Sequence, residues 1–287
     1  MPGEISLSMR AQLALEKAGF RFAHSLGQNF IFDESLLTEI ACLAGADAGV
    51  NVLEIGPGAG MLTAVMAERG ANVLAVELDR TLEGVLNSVI GMRPNVSIVF
   101  ADALKADLNA LTNEHFRGEN YIICANLPYY ITADFIQKAV ELNPPAKSMT
   151  FMVQKEAAIR ILAHCGEEHW CALSAIVGFY CEGEIILDVP RSYFTPQPHV
   201  DSALIRLTHR AKRLVPEDQT GAFVRFIKSA FALRRKTLVN CLNAACGIPK
   251  QAVSEKLETL GFDPRIRGEA LQLNELSRIF TSLQGDI

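Results

Sequence analysis

The stretch NVLEIGPGAG, residues 51–60, decides the fold. Its first five residues are apolar and β-rich apart from Asn51 and Glu54, and read as a buried strand. They run directly into Gly56-Pro57-Gly58-Ala59-Gly60, after which Leu62, Val65 and Met66 recur at helical spacing. Glycines at a strand-to-helix turn let the backbone pass close to a ligand where a Cβ would collide. Strand, glycine turn and helix make the first half of a βαβ unit.

The pattern continues outward. NVLAVE (72–77), VSIVF (96–100), YIICA (121–125), MTFMV (149–153) and EIILDV (184–189) read as strands, with helix-like segments between most of them, such as that of Phe135, Ile136, Ala139 and Val140. This alternation predicts an α/β, Rossmann-like domain: a mostly parallel sheet with helices on both faces. A further strand, VDSALIRL (200–207), follows the loop FTPQPH with no helix in between, which predicts a hairpin at one edge. LTHRAKRLVPEDQ (207–219) reads as a polar linker. Helical patterns follow at 220–234, 236–246, 250–260 and 270–283, punctuated by GIP (247–249) and GFDP (261–264). Two domains are expected, 1–208 and a small all-helical one at 209–287.

The composition of the 287 residues, 49% apolar and 21% charged, is that of a globular protein and excludes a disordered or collagenous chain. The seven cysteines are odd in number and none forms a CxxC pair, which argues against a disulfide framework or zinc ribbon and for a reducing compartment. His164, Cys165, His169 and Cys171 lie close together but match no zinc spacing, so no metal is expected. MPGEISLSMR lacks the apolar core of a signal peptide, and no apolar run approaches the ~18 residues that cross a bilayer. A cytoplasmic monomer, without a membrane partner, is expected. Residues 1–205 carry 13 Lys+Arg against 24 Asp+Glu, whereas residues 206–278 carry 14 against 7. A basic segment on an acidic body suits a polyanion, and equally well a solvated helical face.

Two cofactor classes fit the glycine turn. Glu77 ends the next strand, 21 positions after Gly56, where a carboxylate accepts hydrogen bonds from both hydroxyls of a ribose. Dinucleotide sites usually read GxGxxG and put a pyrophosphate at the helix N-terminus. Here the third glycine comes one position early, and Glu54 precedes the loop, unfavourable beside a pyrophosphate but favourable beside an ammonium or sulfonium. Asp102, after the third strand, is placed to accept from an adenine amino group. Asp79, just before RTLEGVL, reads as a helix N-cap. S-adenosylmethionine therefore fits better than NAD.

The fourth strand leads into Asn126-Leu127-Pro128-Tyr129-Tyr130, at the end of a central strand where open α/β sheets place reactive groups. The Asn126 side-chain oxygen and a carbonyl beside Pro128 make two acceptors, and Tyr129 offers a ring face for a base. Such a set suits an exocyclic nucleobase amine, whose lone pair is freed for attack on a methyl group when both its hydrogens are accepted. A plain proline turn with core tyrosines would carry the same residues.

GQNFI (27–31), VLEIGPGAG (52–60), AVELD (75–79), ADAL (101–104), NLPYY (126–130), VQKE (153–156), FTPQPHVDSALIRL (194–207) and FALRRKTL (231–238) together resemble the KsgA/RsmA ribosomal RNA adenine dimethyltransferases. Erythromycin-resistance methylases share the first five blocks, while the last two look more like the KsgA branch. The resemblance implies an S-adenosylmethionine-dependent enzyme that dimethylates two adjacent adenosines in the hairpin loop near the 3′ end of small-subunit ribosomal RNA, with the small ribosomal subunit as partner. It places cofactor contacts at Gln28, Asn29, Ile31, Gly56, Glu77, Asp102 and Asn126, to which the reading of the glycine loop adds Glu54 and Gly58. It places the target base among Asn126, Pro128 and Tyr129, with Phe194 as a second stacking wall. Arg210, Lys212, Arg213, Arg225, Lys228, Arg234, Arg235 and Lys236 would contact RNA phosphates. Two departures shift RNA contacts toward the C-terminal helices: Ala23-His24-Ser25 stands where the family often has basic residues, and Trp170-Cys171-Ala172-Leu173-Ser174 where it commonly resembles YGRLS. The rival readings are methylation of large-subunit RNA and an assembly factor with little turnover.

Overall fold

In the computed structural model, residues 5–22, 28–233 and 235–284 are described; Arg234 and Ala23-His24-Ser25 lie outside the described residues. Along the chain come α1 (Leu7–Lys17), β1 (Phe30–Ile31), α2 (Glu34–Ala44), β2 (Asn51–Ile55), α3 (Met61–Glu68), β3 (Asn72–Glu77), α4 (Glu83–Ile90), β4 (Val96–Phe100), α5 (Leu108–Phe116), β5 (Tyr121–Asn126), α6 (Thr132–Val140) and β6 (Met149–Gln154). Then follow α7 (Lys155–Leu162), α8 (Ala172–Tyr180), β7 (Cys181–Val189), β8 (Phe194–Thr195), β9 (Ser202–His209), α9 (Thr220–Phe231), α10 (Leu238–Cys246), α11 (Lys250–Thr259) and α12 (Leu273–Ser282).

Seven strands form one sheet in the order β4-β3-β2-β5-β6-β9-β7. β2 to β6 are parallel where they pair, and β9 runs antiparallel to β6. From β2 the chain winds outward to β3 and β4, then returns to place β5 on the other side. The carboxyl ends of β2 and β5 are thus the switch point at which open α/β sheets bind ligands. β9 and β7 are adjacent at the far edge, where two strands in succession were expected. β1 and β8 form a separate two-stranded sheet that the sequence reading did not contain.

β2 is buried along its whole length, and so is α3 from Met61 to Ala67, which accounts for the nearly unbroken apolar run beyond the glycines. Local chemistry sets the helix ends. Asp33 caps α2 by accepting from the Leu36 N–H, and Gly45 closes it in a left-handed conformation. Asp79 accepts from the Thr81 N–H, the capping role its position suggests. Thr237 caps α10, so that helix starts two residues after the expected 236. A Gln272/Glu275 capping box starts α12 at Leu273, three residues after the expected 270.

The chain divides into two compact units. The first is Met1–Ala158 with Gly183–His209; the second is Ile159–Glu182 with Arg210–Ile287. The sequence division at 208/209 therefore needs one correction, because Ile159–Glu182 belongs with the C-terminal helices. The reason is aromatic packing: Phe179 on α8 stacks edge-on against Phe223 on α9 at 5.0 Å, and Trp170 against Phe231 at 5.8 Å. α9 buries Phe223, Val224, Phe226, Ile227 and Ala230, and exposes Arg225 and Lys228. Among the described residues no helix is long and apolar enough to cross a membrane.

Candidate active site

Beyond β2 the backbone turns through Gly56, Gly58 and Gly60 at φ of +67°, +58° and +78°. Gly58 has a second reason to be glycine: a Cβ there would stand 2.7 Å from the Phe30 ring. Phe30 lies on a strap, residues 28–32, and packs against Phe20 and Phe22 at 5.8 and 5.3 Å. Antiparallel pairing of Phe30 with Thr195 and of Ile31 with Phe194 ties that strap down. On the other side, the Pro128 ring would touch a Cβ on Gly56 at 3.4 Å. The glycine loop is thus held between the strap and the turn that follows β5.

These elements border one cleft, open at its mouth. Every residue assigned above to the cofactor or the target base lines it except Phe194. Glu77, 6% exposed at the end of β3, accepts from the Gly58 N–H at 3.0 Å through Oε2 and from the Asp79 N–H at 2.8 Å through Oε1. Burial pushes its carboxyl above the usual range, and the backbone N–H groups of Asp79, Gly58 and Leu78 pull it partly back. Asp102 accepts from the Leu104 N–H at 3.0 Å and pairs with Lys105 at 3.1 Å; that lysine first, then the N–H, holds its carboxyl below the ordinary value. Gln28 reaches Asp79 with its amide at 2.9 Å, joining the strap to the loop after β3.

Glu54 lines the cleft, but its chemistry differs from the expected fixed negative charge. It is 2% exposed, and its carboxyl accepts from the Thr63 hydroxyl at 2.6 Å. Burial pushes it up to about 8, against a smaller pull from Thr63 and with a further push from Glu77. At neutral pH Glu54 is mostly the neutral acid.

Asn126 is the last residue of β5, and its Nδ2 donates to the Asn29 carbonyl at 3.2 Å. That bond orients the amide, so Oδ1 is the side that can accept from a ligand. The Pro128 carbonyl turns the other way. It accepts from the Ile131 N–H at 3.1 Å and the Thr132 hydroxyl at 3.3 Å, closing the short helical turn Tyr129–Ile131. The proline therefore packs on Gly56 rather than offering an acceptor, and the Leu127 carbonyl is the one the turn leaves over. Tyr129 lines the cleft with its hydroxyl 3.0 Å from Ser202 Oγ.

Phe194 is a correction. It is 3% exposed and belongs to the core of the first unit, not to the cleft wall. Pairing of β8 with β1 turns it inward, where it anchors the strap. The sequence reading also passed over Thr63, Ser202 and Tyr130. Tyr130 is 50% exposed at the cleft, and desolvation together with Asp102 and Glu77 raises its phenol. Thr63 on α3 meets Glu54 on β2 across the glycine loop, a pairing that no periodicity announces.

Of the basic residues, Lys212, Arg213, Arg225, Lys228, Arg235 and Lys236 are exposed on the second unit. Arg213 shares its guanidinium with Glu217 at 3.8 Å and Thr220 at 3.3 Å. Arg210 is half-buried and braces its own unit, donating to the Gly178 carbonyl at 2.8 Å and to Glu182 at 2.9 Å.

With this geometry in view, the family model for "Ribosomal RNA adenine dimethylase" matches residues 19–284. The chain belongs to that family. It is an enzyme, and its relatives extend over its whole length. A "Ribosomal RNA small subunit methyltransferase A" of Alkaliphilus oremlandii is 40% identical over 97% of this chain and 98% of its own. The protein of the same name in Geobacillus thermodenitrificans is 38% identical over 99% and 98%. Among solved structures, a dimethyladenosine transferase from Plasmodium falciparum superposes with a TM-score of 0.71, at 24% identity, over 88% of this chain and 96% of that one. The 23S rRNA methyltransferase ErmE superposes with a TM-score of 0.65, at 26% identity, over 89% and 100%. The enzyme therefore has the Rossmann-like methyltransferase fold that the glycine turn predicts, with the helical portion that follows it.

Proposed function

We propose that the enzyme methylates the exocyclic amines of two adjacent adenosines in the hairpin loop near the 3′ end of small-subunit ribosomal RNA, using S-adenosylmethionine. The subunit assignment follows the names of the relatives that match it end to end. The cleft fits the cofactor on its own chemistry. A loop without Cβ atoms and a buried carboxylate at the end of β3 suit a ribose, and Asp102 suits an adenine amine. Glu54, neutral and beside the loop, can lose its proton when a cation approaches. Bound there, S-adenosylmethionine supplies a methyl group on a positively charged sulfur. Gln28, Asn29 and Ile31 close the site from the strap.

The observation that carries the reading is the hydrogen bond from Asn126 Nδ2 to the Asn29 carbonyl. It presets the amide so that Oδ1, with the Leu127 carbonyl, accepts both hydrogens of an adenine amine, leaving the nitrogen lone pair directed away from them. The same bond links the residue holding the amine to the strap that closes the cofactor site. Tyr129 supplies the ring against which the base stacks. Unstacking the target base costs a few kcal/mol, least in a loop. Exposed charges on the second unit, such as Lys228 and Arg235, supply phosphate contacts without reading sequence.

Asn126→Ala is expected to keep RNA binding and to lose about 100-fold or more in methyl transfer, the scale of one lost polar contact to a reacting group. Unchanged transfer overturns the amine-holding role.

A further inference from the structure

Tyr129 stands in a short turn at the edge of the cleft, where the backbone alone fixes neither of its side-chain torsions. Its far end is nevertheless held. The Tyr129 hydroxyl lies 3.0 Å from Ser202 Oγ, and either oxygen can donate. Ser202 is 0% exposed and is the first residue of β9, opposite Gln154 on β6. The residue before it is pinned from two directions. The Lys155 N–H donates to the Asp201 carbonyl at 3.0 Å, and the Arg191 N–H donates to Asp201 Oδ1 at 3.0 Å. The anchor therefore sits on a rigid sheet element, while the ring it holds sits on a turn.

We propose that Ser202 is a positioning residue that sets the Tyr129 ring in place for the target adenine. The proposal rests on the reading of Tyr129 as the stacking ring. A ring held by its hydroxyl at one end and its Cβ at the other has χ1 set before the base arrives, and the preference of a phenolic O–H for the ring plane makes the same bond favour one χ2, so less of its freedom is lost on binding. The geometry also gives the VDSA segment a part in the chemistry. The stretch that pairs with the cofactor strap at Phe194 and Thr195 reaches, seven residues further on, the ring on the base side.

The test is a double-mutant cycle in the full-length enzyme with Ser202→Ala, Tyr129→Phe and the pair, assayed with unmethylated small subunits. Binding is followed by the fluorescence of a short RNA hairpin carrying 2-aminopurine at the target position. Each single variant is expected to lose about tenfold in kcat, the scale of one hydrogen bond, with the KM for subunits and the cofactor affinity unchanged. The double variant should lose no more than either single, and quenching of 2-aminopurine should weaken in all three. A wild-type kcat and quenching for Ser202→Ala, or additive losses in the pair, overturns the anchor. Because Tyr129→Phe leaves the buried serine in place, it carries the same test if Ser202→Ala folds poorly. Tyr129→Ala with full kcat and full quenching would instead overturn the stacking reading itself, and the proposal with it.

Discussion

The cleft of the first unit and the exposed faces of the second use charge in opposite ways. In the cleft the acidic groups are few, and the central ones, Glu54 and Glu77, are buried and bonded to Thr63, Gly58 and Asp79. On the helical unit Lys212, Arg225, Lys228, Arg235 and Lys236 extend into solvent. A buried, oriented carboxyl group distinguishes one ligand from another because every misplaced group costs desolvation. An exposed lysine attracts any phosphate and is screened by salt. Selectivity for a cofactor belongs to the first arrangement, and reach for a large anionic partner to the second.

The sharpest way to break this comparison is Glu77→Ala. Loss of two charge-assisted hydrogen bonds to a ribose is expected to weaken S-adenosylmethionine about 100-fold in calorimetry. Unaltered affinity removes the ribose assignment. On the other side, neutralising Lys228, Arg235 and Lys236 together should reduce the slope of log affinity for RNA against log salt by about 2, at roughly 0.7 per single-stranded phosphate contact. Cofactor affinity should stay unchanged. A slope that stays the same makes the basic segment only a solvated face.

How much of this was legible depends on the range of the interactions. The strand, glycine turn and helix of residues 51–68 are set by neighbours in the chain, so β2, α3 and the acid ending β3 follow from periodicity and turn chemistry. Asp79 reads as a cap because its partner, Thr81, is two residues away. Asn126 reads as a reactive group because it ends a central strand. What failed to show depends on distant pairs. β1 and β8 are two residues each and pair across more than 160 positions, too short for any period to register. That pairing turned Phe194 into the core. The turn after β5 is a local case: Thr132 and Ile131 take the Pro128 carbonyl, so the acceptor beside the proline is that of Leu127. Ile159–Glu182 joins the second unit through rings on α9, a contact that linker composition does not announce.

A smaller effect sharpens the description of the cleft. In the fold Glu54 is held neutral up to about 8, against a value of 4.5 for the ordinary carboxyl. The unfolded chain therefore gives up this proton first. The stabilising contribution is complete below about pH 4.5 and declines as the pH rises toward 8. Glu54→Gln removes that slope. Between pH 5 and 8 the wild-type melting temperature should fall by at least about 3 °C more than that of the variant, by the usual conversion for a domain of this size. Parallel curves would mean that Glu54 is charged in the fold.

The central claim is tested most directly by incubating the enzyme and labelled S-adenosylmethionine with unmethylated small ribosomal subunits, with large subunits as control, followed by nucleoside analysis. Dimethyladenosine in the small subunits alone is expected. Label in the large subunits would contradict the assignment in favour of the activity that ErmE is named for, and tight small-subunit binding without label in either would contradict catalysis by this cleft.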